Sequence, residues 1–147
     1  PPVLELAKTN VQARGFSDRM SFHPGSFLHD ELPTGADLIT LVRVAHDHPD
    51  EVVVQLLKKI HASLPMGGVF LLAEPMAQTM SNAAQGPTQT DAYFHFYLLA
   101  MGAGRLRTPE ELMRLISEAG FGAVELLPNA MPIHAQIIVA RKNKCLP

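Results

Sequence analysis

A single cysteine in 147 residues, Cys145 near the C-terminus, excludes an internal disulfide and a thiolate metal cluster. Such scarcity suits a cytosolic setting. No excess of charge of either sign is present. A formal net charge of −2 and a pI near 6.4 give no electrostatic reason to expect nucleic acid or an anionic membrane as partner. No apolar run approaches the roughly 20 residues that a membrane-crossing helix needs. There is no repeat, interdomain linker or low-complexity tract. The chain also opens at Pro1-Pro2 without methionine, so the absence of a secretory signal carries little weight, and an N-terminal portion is expected to precede these residues. Apolar residues are plentiful. At 47% hydrophobic and 18% charged, without a disorder signature, the chain can form one domain with a real core.

Periodicity supplies the elements. Residues 3–14 read as a helix with Val3, Leu4, Leu6, Ala7 and Val11 on one side and Gly15 as its stop. Arg19-Met20-Ser21-Phe22-His23 alternates and ends at Pro24-Gly25, which predicts a short strand. Residues 36–45 form a nearly unbroken apolar run whose β-branched and leucine content suits an interior parallel strand covered on both faces. A helix over residues 50–64 follows, with Pro49 in its first turn and Asp47 or His48 as cap. Val53, Leu56, Leu57, Ile60 and Leu64 mark its core stripe. Pro65-Met66-Gly67-Gly68 then turns into a buried strand over residues 69–74.

Residues 77–90 lack periodicity and are rich in small and polar types, the pattern of a mobile loop over a site. Residues 91–101 read as an apolar helix carrying Tyr93, Phe94, Phe96 and Tyr97. Thr108-Pro109-Glu110-Glu111 is a capping box with proline at the first helical position, opening a helix that Gly120 stops. Residues 123–127 and 135–140 close the chain as two strands joined through Pro128 and Pro132. This alternation of strands and helices gives an α/β fold with a largely parallel sheet.

In open α/β sheets, ligands gather beyond the carboxyl ends of the strands. The apolar run ends in Arg43-Val44-Ala45-His46-Asp47-His48-Pro49-Asp50-Glu51, which puts titratable groups where such folds do chemistry. One reading takes His46-x-His48-x-Asp50 as similar to the metal-binding opening of metallo-β-lactamase-type hydrolases, in which such a set holds zinc and activates water. Against it, Glu51 stands where that motif continues with histidine, and Pro49 commits the segment to a helix start. His23, His29, His61, His95 and His134 share no spacing and read as ordinary surface or core residues.

A second reading rests on a longer set of anchors. They are Gly25-Ser26-Phe27, Ala36-Asp37-Leu38-Ile39, Arg43-Val44-Ala45-His46-Asp47, Leu64-Pro65-Met66-Gly67-Gly68, Glu74-Pro75-Met76 and Glu118-Ala119-Gly120-Phe121. Through them the chain resembles, over about residues 3–141, the C-terminal catalytic part of class I S-adenosylmethionine-dependent O-methyltransferases that act on small molecules. Within that family, Asp91-Ala92-Tyr93-Phe94-His95-Phe96-Tyr97-Leu98-Leu99-Ala100-Met101 is similar to the bacterial carotenoid branch. Those enzymes, the hydroxyneurosporene and demethylspheroidene O-methyltransferases, methylate a tertiary hydroxyl of an acyclic carotenoid.

The resemblance implies a partial Rossmann-like sheet, strands three to seven of the family fold with flanking helices, and S-adenosyl-L-methionine as cofactor. It implies a small apolar hydroxylated substrate, a homodimer for the full-length protein, and a cytoplasmic location, peripheral to a membrane if the substrate is a carotenoid. The family's glycine-rich loop, the acidic residue after its second strand and its N-terminal dimerisation domain have no counterpart in these residues. Residues 1–147 are therefore expected to be the C-terminal portion of the catalytic domain, and to bind S-adenosylmethionine weakly or not at all on their own. A binding module that has lost catalysis is the remaining alternative. Because the family's first strand lies between its second and fourth, residues 36–45 are expected not to pair with residues 19–23.

Site roles follow from the same resemblance. His46 matches the family's general base, with His48 as a competitor, and Asp47 and Glu74 match the carboxylates beside it. Leu106 stands where the family often has a second glutamate next to the Arg107-Thr108 step. Gly25, Ser26 and Phe27 match the segment lying along the adenine, with Ser26 in place of the usual aspartate, and Arg43 matches a basic residue near the cofactor. No metal is implied. One face of the aromatic helix would pack on the core and the other would line an apolar substrate channel. Aligning donor and acceptor can contribute roughly 7–11 kcal/mol, and a general base about 10²–10⁴-fold. An aliphatic hydroxyl is too weak an acid to ionise beforehand, so its proton leaves during or after attack.

Overall fold

The computed structural model describes residues 2–77, 89–128 and 135–143. Its backbone divides into two compact units, Pro1–Pro33 and Thr34–Pro147. The first is built on helix α1, Pro2–Ala13. Leu4, Ala7 and Val11 form a half-buried stripe three to four residues apart, whereas Val3 and Leu6 lie off that stripe and are exposed. Gly15, at φ 72°, ends the helix: its amide donates to the Gln12 carbonyl while that of Phe16 donates to Val11, the paired bonds of a glycine C-terminal cap. The strand anticipated at residues 19–23 does not form. Ser17–Arg19 is a 3₁₀ turn, and residues 20–24 enter no ladder among the described residues, with residues 36–45 or otherwise. Alternating polarity favours an extended backbone, but a strand also needs a neighbour to take its backbone hydrogen bonds.

The second unit is a mixed α/β layer. Strand β1 (Leu38–Val42), helix α2 (Asp50–Ser63) and strand β2 (Val69–Glu74) make a parallel pair with its crossover helix, Leu38 opposite Val69 and Val42 opposite Ala73. Helices α3 (Gln89–Met101) and α4 (Pro109–Glu118) follow, then strands β3 (Gly122–Leu127) and β4 (Gln136–Arg141). The sheet order is β1-β2-β4-β3, with β4 antiparallel to both neighbours. The α/β class holds, but the sheet is mixed rather than largely parallel. Too few residues separate β3 from β4 for the crossover of about a dozen that a parallel pair requires.

Strand β1 is shorter than its apolar run and is an edge of the described sheet. It is not covered on both faces, since Leu38 and Val42 are more than half exposed. The expected stripe of α2 is buried in full. Its N-cap is Pro49 without a side-chain bond, not Asp47 or His48, which lie in the preceding turn. Strand β2 alternates, burying Phe70, Leu72 and Glu74 on one face. These apolar groups join Leu112, Leu115 and Ile116 of α4, Phe121 and Ile138 in the core, with α4 packed on α2, β3 and β4.

Helix α4 starts as its sequence dictates: the Thr108 hydroxyl accepts from the Glu111 amide at 3.2 Å, and the Glu111 carboxylate accepts from the Thr108 amide at 2.9 Å. Helix α3 lacks a polar face. Phe94 and Leu98 are buried with Leu106, while Tyr93, Phe96, Leu99 and Met101 are exposed. Most of the loop expected over residues 77–90, together with Pro132, His134 and Cys145, lies outside the described residues. No helix among the described residues is long and apolar enough to cross a membrane.

Candidate active site

The chain leaves β1 through Arg43, held at φ 55° in the left-handed region that non-glycine residues seldom occupy. A single 3₁₀ turn, Ala45–Asp47, follows. Its own backbone bonds are long, 3.2 Å from the Asp47 amide to Val44 and 3.3 Å from the His48 amide to Ala45. Charged side chains do the holding. Glu74, buried at the end of β2, accepts the Val44 and Ala45 amides on Oε1 at 2.7 and 2.8 Å, and its Oε2 lies 2.7 Å from His46 Nδ1.

This arrangement fixes the imidazole tautomer. With Nδ1–H donating to a carboxylate, Nε2 is left to accept a proton. The assignment follows from the hydrogen-bond network rather than from a located hydrogen. Nε2 lies 3.4 Å from Asp47 Oδ1, a buried oxygen with no hydrogen bond among the described residues. Phe94 meets the His46 ring edge-on with centroids 5.7 Å apart, and Tyr97 lies at 6.3 Å. His46 as a whole is 4% exposed. Arg43 is exposed, and its guanidinium stands 5.5 Å from the centre of the Phe94 ring.

Sequence reasoning missed what secures the far side of the turn. Arg107 is buried, donating from Nη1 to the Ala45 carbonyl at 2.9 Å and from Nη2 to the His48 carbonyl at 2.8 Å. It also donates to the Asp50 carboxylate from Nε and Nη2, and Arg105 bonds the same carboxylate and that of Glu111. The Arg105 bond, with help from Arg107, holds the Asp50 carboxyl down to about 2 against its partial burial. Asp50 in turn raises Arg105. Nothing in the sequence pointed to this, since Glu110 and Glu111, three and four positions on, offer Arg107 ordinary local partners.

Gly104 closes the site from behind at φ 86°, where a Cβ would run into the backbone carbonyl of His46. The positions read as catalytic thus come together, His46 between Glu74 and Asp47. His48 contributes its carbonyl to Arg107. The zinc arrangement does not assemble: among the described residues no three His, Cys, Asp or Glu side chains gather as a metal ion would require, and Asp50 is taken by two arginines. Leu106 is buried against Phe94 and Leu98. A cavity of about 540 Å³ runs along α3 and the segment after it, lined by Leu98, Leu99, Ala103, Arg105 and Leu106 among others.

Gly25, Ser26 and Phe27 belong to the first unit. The Ser26 amide donates to Asp30 Oδ2 at 2.7 Å, and its carbonyl accepts the His29 and Asp30 amides. Glycine at 25 leaves room for that carboxylate, since a Cβ there would lie 2.8 Å from Asp30 Oδ2. Phe27 is half-buried.

The O-methyltransferase domain family matches residues 1–122. Demethylspheroidene O-methyltransferase of Rhodobacter capsulatus is 45% identical over 128 residues, 87% of this chain and 32% of that protein. The protein of the same name from Cereibacter sphaeroides is 39% identical over 140 residues, 95% of this chain and 36% of that one. The chain spans about a third of the length of these curated relatives. Among solved structures, PigF with SAH matches with a TM-score of 0.83 and 25% identity, over 97% of this chain and 41% of that one. With the family's signature extending over most of its residues, this chain belongs to the O-methyltransferase domain family.

Proposed function

We propose that the protein carrying this chain transfers a methyl group from S-adenosyl-L-methionine to a hydroxyl of an apolar small molecule, an acyclic hydroxycarotenoid, with His46 as general base. The observation that carries the reading is the buried 2.7 Å pair of His46 Nδ1 and Glu74 Oε2, which orients one proton acceptor at a strand end. Similarity to the two demethylspheroidene O-methyltransferases supports the carotenoid class. SAH, the demethylated form of the cofactor, in the PigF structure supports the donor.

The residues present fit the cofactor at its reactive end. A sulfonium is cationic, and Asp47 of the turn carries a buried carboxylate oxygen without a hydrogen bond among the described residues. When bound, S-adenosylmethionine supplies an electrophilic methyl. Gly25, Ser26, Phe27 and Arg43 are the groups proposed to hold it, Phe27 through its ring face and Ser26 through its hydroxyl. His46 takes the hydroxyl proton on Nε2, and Glu74 favours the imidazolium as it forms. Asp47 Oδ1 then receives the N–H that appears at Nε2. Phe94 and Tyr97 keep water from the ring. With Leu106 offering no second carboxylate, proximity supplies most of the acceleration.

The proposal includes residues 1–147 as a portion of the catalytic domain, a homodimer for the whole protein, and a cytoplasmic location peripheral to a membrane. Turnover of the His46→Ala and His48→Ala variants tests the base. The first should lose about 10²–10⁴-fold in kcat and the second little. Small and equal losses would remove both from the mechanism.

A further inference from the structure

Arg107 touches no reacting atom in the scheme above, yet its bonds bracket His46. Its guanidinium reaches the carbonyl on one side, Ala45, the carbonyl beyond Asp47, His48, and the carboxylate that begins α2. Ala45 is thereby fixed at both backbone groups, its amide by Glu74 and its carbonyl by Arg107. The Arg107 carbonyl also accepts the Ala77 amide, tying down the segment that leaves Glu74. The segment carrying His46 and the segment carrying its partner Glu74 therefore converge on one residue of 2% exposure. A buried guanidinium is expensive to desolvate, and starting α4 requires only the cap at Thr108. A planar fork, unlike an ammonium, fixes direction as well as distance at two carbonyls and a carboxylate.

We infer that Arg107 is a positioning residue for methyl transfer: with Asp50 it holds the Ala45–Asp47 turn so that His46 Nε2 faces the acceptor oxygen. This rests on His46 being the base. Misplacement of a reacting group by about 1 Å can lower turnover about 10²-fold. In the whole protein, Arg107→Lys keeps the charge and loses the fork, while Asp50→Asn keeps Arg107 and loses its charged acceptor.

For Arg107→Lys we expect kcat to fall about 10²-fold with the KM for S-adenosylmethionine within about threefold, a split that general unfolding would not produce. For Arg107→Ala, added methylguanidinium should restore part of kcat and methylammonium should not. Nitrogen-15 labelling of histidine gives an independent readout, because the Nδ1–H signal of His46 should broaden or shift in Arg107→Lys and in Asp50→Asn. An unchanged signal in both variants would overturn the inference. So would kcat of Arg107→Lys within about threefold of the parent while His46→Ala is inactive. Full activity in His46→Ala would instead sink the base assignment, and the nuclear resonance result alone would then judge Arg107.

Discussion

Two short irregular turns, residues 43–50 and residues 25–30, are both proposed to serve methyl transfer, and their backbones are fixed by bonds of different sequence range. The first depends on groups distant in sequence: Glu74 reaches back across 29 positions to the Ala45 amide and Arg107 across 62 to its carbonyl. The second is local, with the Ser26 amide on Asp30 only four positions away. The proton transfer proposed for His46 needs an imidazole held closely in place, and the buried bonds from Glu74 and Arg107 hold its turn. The contact proposed for residues 25–27, covering a planar ring or meeting an exocyclic amine, tolerates more play.

The contrast predicts a graded response. Gly104→Ala should have the largest effect, because the added Cβ meets the His46 carbonyl, backbone against backbone, at a φ of 86°. We expect about 2–4 kcal/mol of destabilisation in urea unfolding, with a parallel loss of turnover. Retention of full stability would mean that the distant turn is as tolerant as the local one.

Acid should act next, and through Asp50. Its carboxyl lies near 2, below the ordinary 3.8, so the fold gains stability from it above the ordinary value. That gain is lost as pH falls through about 2. With the side chain 39% exposed, solvent screening leaves only a fraction of the nominal effect. Unfolding measured from pH 4 downward should therefore show an acid slope that is shallower in Asp50→Asn. Identical slopes would show that the arginine clasp contributes nothing to stability.

Gly25→Ala should be mildest. The obstructing atom is the far end of the Asp30 side chain rather than backbone, and its exposed hydrogen bond to the Ser26 amide contributes about 1 kcal/mol. Cofactor KM should rise a few-fold (about 2–5) while kcat holds. A stability loss equal to that of Gly104→Ala would erase the distinction between the turns.

Much of the second unit was legible in sequence because its signals are local. The stripe of α2 repeats every three to four residues, the Thr108–Glu111 box spans one turn, and Glu74 falls on the period-two face of Phe70 and Leu72. His46, Asp47 and Glu74 could be named together only through a family resemblance, as no spacing links positions 46 and 74. Arg107 escaped notice for the same reason: its acceptors lie 57 to 62 positions earlier. The strand expected at residues 19–23 failed because alternation says nothing about who its neighbour is. The reversed direction of β4 was inferable from the short connection to β3, which the strand count alone overlooked.

Glu74 shares its side of β2 with two core residues, and this binds chemistry to registry. A slip of that strand by a single position would carry the carboxylate to the opposite side along with Phe70 and Leu72. The imidazole would lose its support in the same event that empties the interior, so a misaligned sheet could not survive as a folded but weakened catalyst. At this strand, one alternation of side chains serves both the interior and the support of the buried imidazole.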